Sequence, residues 1–87
     1  MNLKGTVKHI GATETVGTKG FQKRIIVITT DEKYPQHIPV EFVQDKCNLL
    51  DDIAEGETVD VSINLRGSEW NGKFYASING WKIETEL

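Results

Sequence analysis

Three short stretches of this chain bring cations and flat rings together: Lys19, Phe21, Lys23 and Arg24; then Lys33, Tyr34 and His37; then Arg66, Trp70, Lys73 and Tyr75. Cations follow phosphates and rings stack on unpaired bases, so this combination fits a single strand of nucleic acid held without regard to its sequence. Arg24 suits either task, because a guanidinium stacks on a base as well as pairing with phosphate, whereas Lys23 acts as a point charge. Neighbouring residues of a strand face opposite sides, so Lys23 and Arg24 share one groove only where the strand twists or bulges. Trp70 stands between Glu69 and Asn71 in a predicted turn. A core ring would be unusual there, and Trp70 is read as the principal stacking residue. Phe21 and Tyr75 are balanced between base contact and ordinary surface. Phe42, Phe74 and Trp81 are assigned to the core. His37 takes its place through its position beside Tyr34, although a plain surface histidine is the commoner case.

Other chemistry finds little support. Asp51 and Asp52 point in adjacent, diverging directions on a helix, and no nucleophile-base pairing or phosphate-binding glycine loop is visible, so no enzyme is expected. Cys47 is the single cysteine, and with His9 and His37 far from it there is no metal-ligand spacing; neither metal nor cofactor is expected. Cys47 reads as a small buried hydrophobe. The net charge of −3 argues against a strongly basic nucleic-acid footprint. Its distribution is uneven, however: Lys4, Lys8, Lys19, Lys23, Arg24 and Lys33 dominate the first third, while Asp45, Asp51, Asp52, Glu55, Glu57 and Asp60 surround Lys46. Solvated faces produce the same pattern, and charge alone decides nothing.

The elements that must position these residues read mostly as strands. The 87 residues allow one domain with one core, and no apolar run approaches a membrane span. The N-terminus has no secretory pattern, so a cytoplasmic location is expected. Leu3 to Ile10 is the first strand, and the glycine- and threonine-rich stretch from Gly11 to Gly20 is a long turn or hairpin loop. Phe21 to Thr30 contains the β-branched run Ile25, Ile26, Val27 and Ile28, which reads as a buried central strand. In the third strand Ile38, Val40 and Phe42 share one face, and Pro39 places it at an edge or an opening. Asp45 caps a short helix whose apolar side is Leu49, Leu50, Ile53 and Ala54, with Gly56 to end it. Its acids, Asp51, Asp52 and Glu55, are expected to lie away from any bound strand. Val59, Val61, Ile63 and Leu65 alternate along the fourth strand, and Asn71-Gly72 turns it into a fifth, Lys73 to Ile83. Phe74, Ala76 and Ile78 point inward there until Gly80, which reads as a bulge.

Five strands with one short helix between the third and fourth is the element order of the OB fold, an all-β Greek-key barrel that binds nucleic acids or sugars. A single OB-fold domain over residues 1–87 is therefore expected. The sequence then resembles the bacterial single-stranded DNA-binding proteins and a small, related OB-fold family of bacteria and phages. The resemblance runs through Gly5, Val7 and Gly20, through His37-Ile38-Pro39-Val40-Glu41-Phe42, and through Leu50, Ile53, Ala54, Gly56, Val59 and Val61. It is strongest at Trp70, Gly72, Lys73, Phe74 and Tyr75. In that family the last hairpin closes over the DNA, which implies a single-strand binder serving replication, recombination or phage growth. Two features differ. The long glycine-rich tail with an acidic tip does not follow the last strand, so recruitment of partner proteins through such a tip is not expected. The aromatic that commonly precedes the position of His37 has only Tyr34 nearby.

Two other readings stand beside that one. Single-stranded RNA uses the same stacking platform, and nothing in the chain marks a contact to a ribose hydroxyl. Alternatively Trp70 and Tyr75 anchor a protein partner. The apolar residues Ile10, Val16 and Leu87 leave a dimer or tetramer open.

Overall fold

A computed structural model describes residues 1–86, so Leu87 lies outside the described residues. Six strands and one 3-10 helix follow each other as β1 Asn2–Ile10, β2 Glu14–Val16, β3 Phe21–Thr30, β4 His37–Val43, the helix Gln44–Leu50, β5 Thr58–Trp70 and β6 Lys73–Thr85. The sheet order is β1-β5-β6-β4-β3-β2, and β1 also pairs with β3, which closes the sheet into a barrel. This is the expected OB-type barrel with one helix before the last hairpin. The addition is β2: Glu14, Thr15 and Val16 pair with Lys23, Gln22 and Phe21, so the glycine-rich stretch is a hairpin rather than a free loop. No helix among the described residues is long and apolar enough to cross a membrane.

Alternation explains the core. Val7, Ile26, Ile28, Val40, Phe42, Val59, Val61 and Ile63 are buried and come from β1, β3, β4 and β5, with Leu50 of the helix packed among them. The β-branched run does not form a strand buried on both sides. Ile26 and Ile28 face the core, while Ile25 and Val27 are half-buried on the outer face opposite Glu41 and Pro39 of β4. Strand β4 meets β6 through one parallel bridge, Glu41 to Asn79, so the seam beside Pro39 is open, as a residue without an N–H requires.

The helix differs from expectation. Val43 occupies the N-cap position without a side-chain hydrogen bond, and Asp45 sits in the first turn instead of capping it. Cys47, Leu50 and Ile53 are spaced by threes, which suits a 3-10 helix whose i and i+3 side chains eclipse; Cys47 and Leu50 are buried, and Leu49 faces outward. Backbone bonds from Asp51 to Asn48 and from Ile53 to Leu50 continue that tight winding. The Cys47 Sγ–H donates to the Phe42 carbonyl at 3.3 Å, and burial pushes the thiol pKa up, so it stays protonated.

The last hairpin is longer than the barrel beneath it. Strand β1 covers β5 only from Thr58 to Ser62, yet β5 and β6 stay paired as far as Trp70 and Lys73. Their outer halves form a two-stranded arm, and the molecule measures 41 × 27 × 18 Å. Asn71 and Gly72 form its tip at φ of 52° and 74°, the pair of left-handed conformations of a type I′ turn. Leu65, Phe74 and Ala76 carry the core-facing parity but stand beyond the core. Phe74 is 80% exposed, which corrects its assignment to the interior.

Candidate nucleic-acid interface

The register of the arm decides which of its side chains act together. Trp70 pairs with Lys73, Ser68 with Tyr75, Arg66 with Ser77 and Asn64 with Asn79, so all these residues stand on one face. The four candidates Arg66, Trp70, Lys73 and Tyr75 are thus brought together. Trp70 is the last residue of β5 and not part of the turn; at 68% exposed it is no core residue. The opposite face carries Leu65, Gly67, Glu69, Phe74, Ala76 and Ile78, and has no cation.

At the root of the arm the polar face runs into a cleft of ≈ 410 Å³ lined by Phe21, Val43, Lys46, Asn64, Arg66, Asn79, Gly80 and Trp81. A break in register creates it. Ser62 pairs with Lys82 and Ile63 with Gly80, so Trp81 is the extra residue of a β-bulge. Gly80 turns inward, where a Cβ would overlap the Phe42 ring, and Trp81 is 47% exposed beside the cleft. Trp81 was expected in the core. Gly80 was legible as a bulge, and a bulge resets the alternation for the residue after it; that signal places Trp81 outside.

The remaining candidates separate into groups. Phe21 lines the cleft from the start of β3. Lys19 is exposed in the neighbouring turn. Tyr34 and His37 belong to the far end of the β3–β4 face: Phe21 and Thr29, the partner of His37, are eight positions apart on β3, about 26 Å of extended chain. The structure does not bring them to the cleft. His37 Nδ1 shares a hydrogen bond with the Thr29 hydroxyl at 3.0 Å, and Lys33 stands 5.7 Å from the Tyr34 ring centre.

Lys23 and Arg24 are already engaged. Lys23 lies on the outer face with its ammonium 3.3 Å from the Glu41 carboxylate. Arg24 points the other way and its side chain is only 16% exposed. It donates to the Gly11 carbonyl at 2.8 Å, to the Cys47 carbonyl at 3.3 Å and to Asp51 Oδ1 at 2.7 Å. Arg24 thereby ties the segment after β1 and the helix to β3, a structural task that engages its guanidinium within the chain. Asp51 serves this tie and is more than a solvated acid. Lys4 is paired with Asp60 and Glu86, and Lys82 with Glu84, which holds the Lys82 pKa up. Among the described residues Lys46, Arg66 and Lys73 make no ion pair and no side-chain hydrogen bond, and no acid lines the cleft. Lys46 had been hidden in sequence by the acids around it. No group of three His, Cys, Asp or Glu among the described residues could hold a metal.

No curated protein matches the chain. Among solved structures it is similar to the small single-stranded DNA-binding protein from Streptomyces coelicolor, with a TM-score of 0.59 and 14% identity, covering 100% of this chain and 93% of that one. At that identity the likeness shows a shared fold, the OB-type barrel derived above. A family match spans nearly all of both the barrel and the arm, residues 2–84, and on that ground the chain belongs to the family described as a domain of unknown function (DUF3127).

Proposed function

We propose that the chain binds single-stranded DNA along the polar face of the arm and into the cleft at its root, without doing chemistry on it. One observation carries this reading: the free cations Lys46, Arg66 and Lys73 stand on the same continuous strip as Trp70, Tyr75, Phe21 and Trp81. Phosphate-following cations beside base-stacking rings are the two components that single-strand binding needs. The fold likeness to a protein whose name states single-stranded DNA binding supports it. The test is fluorescence anisotropy with labelled oligo(dT), oligo(U) and a hairpin duplex. Oligo(dT) is expected to bind more tightly than the duplex, whose bases are already stacked, and more tightly than oligo(U); equal affinity for duplex and oligo(dT) contradicts the reading, and tighter oligo(U) binding moves it to RNA.

A second reading rests on the other face of the arm. Leu65, Phe74 and Ala76 are exposed together there without a cation, a composition that suits a protein surface rather than a phosphate backbone. A partner protein or a second copy that binds while oligo(dT) does not would favour it.

A further inference from the structure

The cleft holds more than stacking requires. Asn64 and Asn79 face each other directly across β5 and β6, and both line it. Neither carboxamide makes a hydrogen bond with any described residue. A carboxamide offers an N–H donor pair and a carbonyl acceptor side by side, and base edges present complementary donor-acceptor pairs. A surface that served only to follow a backbone would need cations and rings, not two opposed and unengaged amides. The cleft also has the size of a small-ligand site, and Phe21 and Trp81 supply flat apolar surface within it. Phosphates flanking an inserted base would find Arg66 and Lys46 at the same cleft.

We propose that this cleft accepts one unstacked nucleobase against Phe21 and Trp81 and reads its edge through Asn64 and Asn79, so that binding of single strands carries a base preference. This rests on the single-strand reading above and sharpens it, replacing sequence-blind binding by a preference at one position. The site was invisible to strict alternation because the bulge after Gly80 builds it.

The test compares dT12, dA12, dC12 and d(TG)6 as unlabelled competitors against one labelled strand, for the unaltered protein and for the Asn64→Ala/Asn79→Ala variant, with melting temperatures for both. For the unaltered protein the affinities are expected to spread about tenfold or more, the effect of one bidentate edge contact. In the double variant the spread collapses to about twofold through loss of the favoured strand. Asn64→Ala alone, at an exposed strand position, carries the test if the double variant melts early. Equal affinity of the unaltered protein for the four strands, or a spread that survives the substitutions, overturns the base-reading site while leaving single-strand binding standing. Failure of all four strands to compete or bind removes the single-strand reading itself.

Discussion

The start of β3 and the face of the arm carry nearly the same residue types, a phenylalanine with Lys23 and Arg24 in one, Trp70 and Tyr75 with Arg66 and Lys73 in the other. Their surroundings make them opposites. At β3 the lysine is matched by Glu41 and the arginine is folded inward onto two carbonyls and Asp51, so both charges are used within the chain. On the arm the strands extend past the barrel, where no acid crosses to Arg66 or Lys73, and these charges stay available. Cation content in a sequence therefore measures potential attraction. What a phosphate meets is the remainder after internal pairing.

Substitutions at the two regions are expected to act on different properties, stability at β3 and binding on the arm. The largest effect is expected from Arg24→Ala, which strands two backbone carbonyls at a mostly buried position. The carbonyl bonds set the scale, since Asp51 is largely exposed and its ion pair is discounted for solvent; the loss is about 2–3 kcal/mol, or roughly 10–20 °C in melting temperature for a domain this small. The affinity of the folded fraction for oligo(dT) should be unchanged, and a binding loss without a melting shift would return Arg24 to the interface.

Next come the two tryptophans. Trp70→Ala and Trp81→Ala are each expected to weaken oligo(dT) binding by about 1–3 kcal/mol, the value of one base-aromatic stack. They differ in stability. Trp70→Ala should leave melting nearly unaltered, whereas the half-buried Trp81 contributes about 1–2 kcal/mol, well below the about 3–5 kcal/mol of a fully buried tryptophan. A Trp81→Ala variant that melts as a core deletion and retains its affinity would put the ring back in the interior.

Smaller effects separate the lysine of β3 from the arginine of the arm. Arg66→Gln should flatten the dependence of log affinity on log salt by about 0.7, one phosphate on a single strand, and Lys23→Gln should leave the slope as it was. Equal changes in both would show that the Glu41 pair gives way to DNA. The smallest effect belongs to Phe74→Ser on the far side of the arm, with stability within about 0.5 kcal/mol of the unaltered protein. Its oligo(dT) affinity should stay constant; a drop comparable to that of Trp70→Ala would mean that the strand wraps both faces.

Much of the barrel was legible because its strands obey the period of two: Val59, Val61 and Ile63 fall inward as read, and Asn71-Gly72 makes the turn its residues demand. The same periodicity misled beyond the barrel. Leu65 and Phe74 keep the inward parity, but parity fixes a face and not what covers it, and nothing in the local sequence states how far β5 outruns β1. Trp81 falls inward only if the alternation of the core-packed Ile83 is carried back to it; the bulge that Gly80 signals shifts the register by one residue and turns the ring outward. The internal engagement of Arg24 is not legible in the sequence, because its partners, Gly11, Cys47 and Asp51, are backbone and side-chain groups distant along the chain. Lys46 escaped notice among acids that the fold directs elsewhere.

Binding along the strip is tested most directly by the salt dependence of oligo(dT) affinity in the unaltered protein and in a Lys46→Gln/Arg66→Gln/Lys73→Gln variant whose melting temperature is first shown to be retained. Three phosphates neutralised by these side chains require the slope to become shallower by about 2 in the variant, with a matching loss of affinity at low salt. The same slope and the same affinity in both proteins would contradict single-strand binding by the arm and its cleft.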